Sequence, residues 1–219
     1  MTGGLVHVGL AGLLVVITHV GLPGSPLRAV LIDRMGKGPY MALYSLISLG
    51  SFAWLWLAFR AVQAPALLWH FGAVGAWLPL GLVPVALVML ADGILWRGEP
   101  RAHGLRRITR RPMPWAVALW SLAHLIANGM AHEMIFFGTM LALGLFGAVT
   151  VDRREAAKGH EAYRAQTSNI PFAAILDGRQ SLRPVIREMG WKPFALGLAL
   201  AVILIGAHPF LFGVYPHPI

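Results

Sequence analysis

The sequence predicts an all-α membrane protein: a polytopic bundle of six transmembrane helices in one domain, residues 1–219, with both termini on the non-cytoplasmic side. Three observations predict it. Hydrophobic residues make up 57% of the chain and charged residues only 12%, against about 25% charge in ordinary soluble domains. The apolar residues collect into runs of roughly twenty, which at ~1.5 Å per residue matches a ~30 Å hydrocarbon core. The 18 lysines and arginines fall between those runs.

The spans are expected at about Leu5–Leu22, Pro39–Phe59, Leu68–Ala91, Met113–Asn128, Met130–Val149 and Pro193–Phe212. The first has neither a basic n-region nor a small-residue cleavage site, so it reads as a retained helix. The second and third carry Gly50, Pro79 and Pro84, tolerable in lipid where neighbours re-satisfy the backbone and read as sites of close packing. The fourth is short, either starting in the interface or drawn inward by a hairpin at Asn128-Gly129. The fifth contains Gly138 and Gly144, read the same way. Between the fifth and sixth, residues 152–192 form the largest cytoplasmic loop. Its polar first part suits a surface helix. Pro171–Leu176 (PFAAIL) is too short to span, and it either dips into the interface or packs beneath the bundle.

The basic residues set the topology. Three lie in the first loop (Arg28, Arg34, Lys37), six in the third and eight in the fifth, so 17 of 18 sit on alternate connections. Arg60 is the exception. The positive-inside rule puts the three basic loops in the cytoplasm, as in a multi-pass protein of a bacterial-type inner (cytoplasmic) membrane. The net charge of +9 belongs to these loops, so no nucleic-acid partner is expected; membrane lipids are.

With no cysteine, disulfides, iron–sulfur clusters, cysteine-ligated zinc and covalent haem are excluded. Nine histidines remain as candidate ligands. His103 and His160 fall in cytoplasmic loops and His217 in the tail; His7, His70, His132 and His208 fall in the outer half. His19 and His124 lie within spans nearer the cytoplasmic side. An imidazole in lipid costs free energy unless it hydrogen-bonds, titrates or binds a metal. Each can be a structural histidine; two at similar depth on different helices can hold one iron, and a b-type haem is the expected cofactor. Counted from the inner ends, His124 lies ~8 Å deeper than His19, a gap that a first helix continuing past Gly21 would narrow. His208 is the runner-up partner for His124. Arg28, Arg110, Arg111 and Arg179 can pair with propionates or act only as topogenic charge. Trp54, Trp56, Trp115 and Trp120 can wall a flat cofactor or simply pack. Asp92, Asp152 and Glu133 stand at span ends and read as interfacial.

Residues 108–129 (ITRRPMPWAVALWSLAHLIANG), residues 167–180 (TSNIPFAAILDGRQ), His19 ahead of SPLR, and Ala207-His208-Pro209 together resemble the NnrU family of membrane proteins and the zeta-carotene isomerases related to it. The resemblance implies a haem b protein converting a cis double bond in a carotenoid-like polyene at ferrous iron, with His19 and His124 as ligands and catalytic residues. A hydrophobic small molecule or lipid-soluble polyene is the implied substrate. For bacterial members it implies a role linked to nitrite and nitric oxide reduction, with respiratory reductase components as partners. A cysteine implicated in the isomerases, one helical turn before the second histidine, is replaced by Ser121. The family's usual histidine before proline is Arg111 here, ahead of Pro112. Two other readings stay open. Arg111-Pro112 with Glu161 and Tyr163 resembles, more weakly, membrane isoprenylcysteine-type methyltransferases that hold S-adenosylmethionine. A non-enzymatic haem carrier or assembly factor would use the same histidines.

Overall fold

The structure, a computed structural model, describes residues 4–216; His217 lies outside them. The first apolar helix begins as α1 (Leu5–Val16), passes through a π turn over Ile17–Gly21 and ends as α2 (Leu22–Gly24). α3 (Leu27–Met35) lies in the first loop, and α4 (Lys37–Arg60) returns. α5 (Gly72–Leu95) follows, then a 3₁₀ turn (Gly104–Arg107), α6 (Pro112–Ala127) and α7 (Ala131–Ala156). α8 (Glu161–Gln166), α9 (Ala173–Leu176) and α10 (Val185–Met189) are short pieces of the large loop, and α11 (Lys192–Phe212) closes the chain. Among the described residues, five helices are long and apolar enough to cross a membrane: Leu5–Gly24, α4, α5, α7 and α11; α6 is apolar but shorter.

The long helices pack side by side in the order α11, α5, α6, α7, α1, α4. Small residues permit the contacts. A Cβ at Gly144 of α7 would stand 2.6 Å from the Ala118 nitrogen, and one at Gly197 of α11 2.6 Å from the Val88 nitrogen. The expected close packing thus occurs at Gly144, whereas Gly50 and Gly138 face open space. The core is the seam of α1, α4 and α7: Val8, Ala11 and Val15 against Leu55, Ala58 and Met140, with Trp120, Phe136 and Leu143 packed on it.

The expected third span shifts inward along the chain, because residues 66–69 cover the α6–α7 hairpin instead of entering α5. Leu68 N–H donates to the Gly129 carbonyl at 2.8 Å and Ala131 N–H to the Ala66 carbonyl at 2.9 Å. The Trp69 indole donates to the Ile126 carbonyl at 3.1 Å, satisfying a group that the end of α6 would leave unpaired. A tight connection at Asn128-Gly129 joins α6 to α7.

The loop after α7 is clamped under the bundle. Arg110 grips Asp152 through two bonds of 2.6 and 3.0 Å and the Thr167 carbonyl at 2.7 Å; Arg111 reaches the same carboxylate at 3.1 Å. Thr109 donates to the Asn169 carbonyl at 2.6 Å, and Phe172 N–H to the Ile108 carbonyl at 2.9 Å. Within PFAAIL, Ala174 is buried while Leu176 stays 84% exposed. The three carboxylates at span ends are all engaged: Asp92 is buried against Arg106, Asp152 is held by two arginines, and Glu133 caps α7 by accepting from Met130 N–H at 3.0 Å.

Candidate functional site

His124 stands on the last full turn of α6, one turn beyond Trp120. Its Nδ1 is 2.9 Å from the Trp120 carbonyl. A carbonyl only accepts, so Nδ1 carries the proton and the neutral ring keeps its lone pair on Nε2, the tautomer of a metal-ligating imidazole. Phe137 of α7 stacks on the ring at 5.0 Å between centroids and 24° between planes, and Trp120 flanks it at 5.0 Å. Ser121 is fully buried and donates to the Val117 carbonyl at 2.7 Å.

His19 sits within the π turn, a distortion common at functional positions. Its Nδ1 is 2.9 Å from the Val15 carbonyl and 3.0 Å from the Thr18 hydroxyl, giving the same tautomer. The ring packs on Phe52 at 4.7 Å and Tyr44 at 6.2 Å. It lines an open groove of about 410 Å³ between α1 and α4 with Tyr44, Ser45, Ser48, Leu49 and Phe52. Arg28 lies over the Tyr40 ring at 5.9 Å, and Tyr40 stacks on Tyr44.

The first helix does continue past Gly21, to Gly24, but His19 and His124 remain at different levels. Gly12 abuts Thr139 and Gly24 abuts Thr150, so His19 falls level with residues 145–146 of α7. His124 stacks on Phe137, about eight residues nearer the other end, or ~12 Å.

His208 of α11 lies level with His124. Gly197 abuts Val88, so His208 comes level with about residue 77 of α5; Gly75 abuts Ala127, which puts that level near residue 125 of α6. The two imidazoles are within electrostatic reach of each other. His208 Nδ1 lies 2.8 Å from the Val214 carbonyl, so it too keeps Nε2 unprotonated.

Of the arginines expected near a cofactor, Arg110 and Arg111 hold Asp152, and Arg179 binds the Ala165 and Thr167 carbonyls at 2.9 and 3.0 Å. Only Arg28 approaches a histidine, through the tyrosines beside His19. Two residues that composition did not single out join the aromatic cluster instead. His132 stacks on Phe59 at 4.7 Å, and Arg60 lies over Trp56 at 5.7 Å. The one signal for Arg60 was its place outside the charge pattern.

In the loop between α7 and α11, Tyr163 is half-buried and its phenol is pushed up by that burial. The space it lines with Pro100, Arg111, Glu155, His160 and Arg164 is about 20 Å³, room for a water and not for the nucleoside of S-adenosylmethionine.

A family model described as NnrU protein matches residues 8–216. The chain belongs to the NnrU family. This NnrU chain is 32% identical over 129 residues to the chloroplastic 15-cis-zeta-carotene isomerase of Zea mays, covering 55% of itself and 33% of the relative. It is 36% identical over 123 residues to the isomerase of the same name from Arabidopsis thaliana, covering 52% and 34%. It thus spans about a third of the length of these curated relatives. No solved structure matches it.

The donor set of the NnrU chain suits haem b. Fixed Nδ1 protons leave imidazole nitrogen donors of the kind that suits iron, and flat aromatic rings line the neighbourhood. Among the described residues, no three histidine or carboxylate groups converge as a non-haem site would require.

Proposed function

We propose that this NnrU-family chain is an integral membrane haem b protein of a bacterial-type cytoplasmic membrane that isomerises a cis double bond in a carotenoid-like polyene. The observation that carries the reading is the His124 ring, locked by the Trp120 carbonyl with Nε2 free and flat against Phe137. Likeness to two zeta-carotene isomerases supports the reaction class. In this reading the chain crosses six times with both termini on the non-cytoplasmic side. The two ends of α6 lie against Gly93 and Gly75, near opposite ends of α5, which supports a crossing by that short helix.

His124 would hold the iron, and the family resemblance implies His19 as its other holder. When bound and reduced, the haem would supply an iron able to weaken an alkene double bond. Trp120 and Phe137 keep the His124 ring from rotating, so its lone pair points in one direction. The groove beside His19 is apolar and open to lipid, as entry of a long polyene from the bilayer requires.

The test is expression without added haem, a pyridine-haemochrome spectrum of the purified protein, and chromatography of a 15-cis carotenoid precursor before and after incubation with dithionite-reduced protein. A b-type spectrum and conversion, both lost in His124→Ala, are expected. A folded wild type without haem, or an unchanged Soret band in His124→Ala, overturns the reading.

A further inference from the structure

We propose that the outer face of α10, with the residues joining it to α11, is a foot seated on the membrane surface that binds the anionic headgroups of phospholipids. It does not depend on the haem reading. It stands on the stretch from Leu182 to Lys192 and on how that stretch is held.

α10 has two unlike sides. Val185 is buried and Met189 lies against Gly104. Glu188 takes its bonds from Arg107 and Gly104 N–H, so this side is fastened to the 3₁₀ turn. The other side is exposed and mixed. Leu182 and Ile186, four residues apart, are 50% and 65% exposed, and Arg183 and Arg187 stand exposed beside them. Trp191 follows at 73% exposure, and exposed Lys192 opens α11. A helix of five residues does not hold its shape alone; the Arg107–Glu188 clamp fixes which side faces out.

Charge says what the outer side meets. Among the described residues, the Arg183, Arg187 and Lys192 side chains have no carboxylate partner, because the neighbouring acids are taken: Glu188 by Arg107 and Asp177 by Arg179. Three unopposed cations interleaved with three exposed apolar side chains complement a surface whose phosphates lie just outside hydrocarbon.

Position says the same. From Ile186 to Lys192 the chain makes three helical steps of ~1.5 Å and at most three extended ones of ~3.5 Å, so Ile186 lies within ~15 Å of the start of a span. α11 is the edge helix of the packing order and little of it is buried, so lipid reaches the place where the chain enters it. Trp191 and Lys192 at that entry are the residue types that anchor a span at the interface.

The test places the full-length protein in nanodiscs of phosphatidylcholine, alone or with about a third phosphatidylglycerol. The chain has no cysteine, so Ile186→Cys carries a single spin label. Leu182→Cys serves if that variant does not fold. Electron paramagnetic resonance compares collisions with oxygen, which concentrates in lipid, and with a water-soluble nickel chelate. The oxygen-to-nickel ratio should rise about threefold when phosphatidylglycerol is present, and adding Arg183→Gln with Arg187→Gln should abolish the rise. An equal ratio in the two lipids overturns the inference, as does a rise that survives both arginine substitutions. A label shielded from both probes in both lipids assigns the face to a protein partner and overturns it too.

Discussion

Arg106 lies beneath the end of α5 with its guanidinium 2.7 Å from the Asp92 carboxylate and 4.0 Å from the centroid of the Trp96 ring. Each side chain of the pair is 8% exposed. The 3₁₀ turn is thereby pinned to α5, and Glu188 of α10 pins it from the other side. Its carboxylate takes two bonds from Arg107, at 2.7 and 2.8 Å, and one from Gly104 N–H at 2.8 Å.

Breaking the Asp92 pair from one side should cost more than removing both partners. Asp92→Ala leaves a buried guanidinium uncompensated, at about 3–5 kcal/mol. Asp92→Leu with Arg106→Met should recover most of that loss. Unfolding in detergent with increasing sodium dodecyl sulfate measures both; equal losses would refute the ion-pair account.

The Glu188 clamp gives the loop a pH dependence. Bonds from the Arg107 side chain, opposed by partial burial, hold the Glu188 carboxyl down to about 2, below the ~4.3 of an unfolded chain. A lowered pKa contributes stability that is complete above ~4.3 and is lost as pH falls toward 2. Hydrogen exchange at peptides covering residues 102–108 and 184–190, corrected for intrinsic rates, should accelerate across that window. In Glu188→Gln it should already be fast at pH 6. A flat pH profile in the wild type would sink the prediction.

Helix contacts should make two glycines respond oppositely. Gly144→Ala drives a methyl into the Ala118 backbone and should cost about 1–3 kcal/mol. Gly50→Ala meets nothing within 4 Å and should be neutral, or stabilising by up to about 1 kcal/mol through helix propensity. The same detergent unfolding assay distinguishes them.

His132 should behave unlike His124. Its Nδ1 is buried without a partner while its ring stacks on Phe59. His132→Phe keeps the stack and removes the orphaned nitrogen, so it should leave the Soret band in place and stabilise by about 1 kcal/mol. Loss of haem in that variant would assign His132 a role as a ligand.

Apolar runs and the spacing of arginines were enough to locate the helices, because lipid forces backbone groups to pair within each segment and leaves a length signature. Boundaries slipped where a local segment found a better partner elsewhere. Residues 68–71 are apolar enough for a span, yet the open ends of the α6–α7 hairpin draw the start of that segment into backbone bonds. His19 and His124 stood out as imidazoles inside apolar stretches. Counting residues already set them ~8 Å apart in level; the ~12 Å of the packed bundle depends on which glycine meets which threonine across helices.

The chain by itself determined the helical membrane class, the positions of its helices, the shortness of the fourth and the histidines available as ligands, all of which follow from local hydropathy, charge and residue type. Tertiary structure decided which of those histidines share a depth, which arginines are already paired and which remain beside the aromatic cluster. Those relations depend on the axial offset between packed helices, and small contact residues set that offset far apart in the sequence.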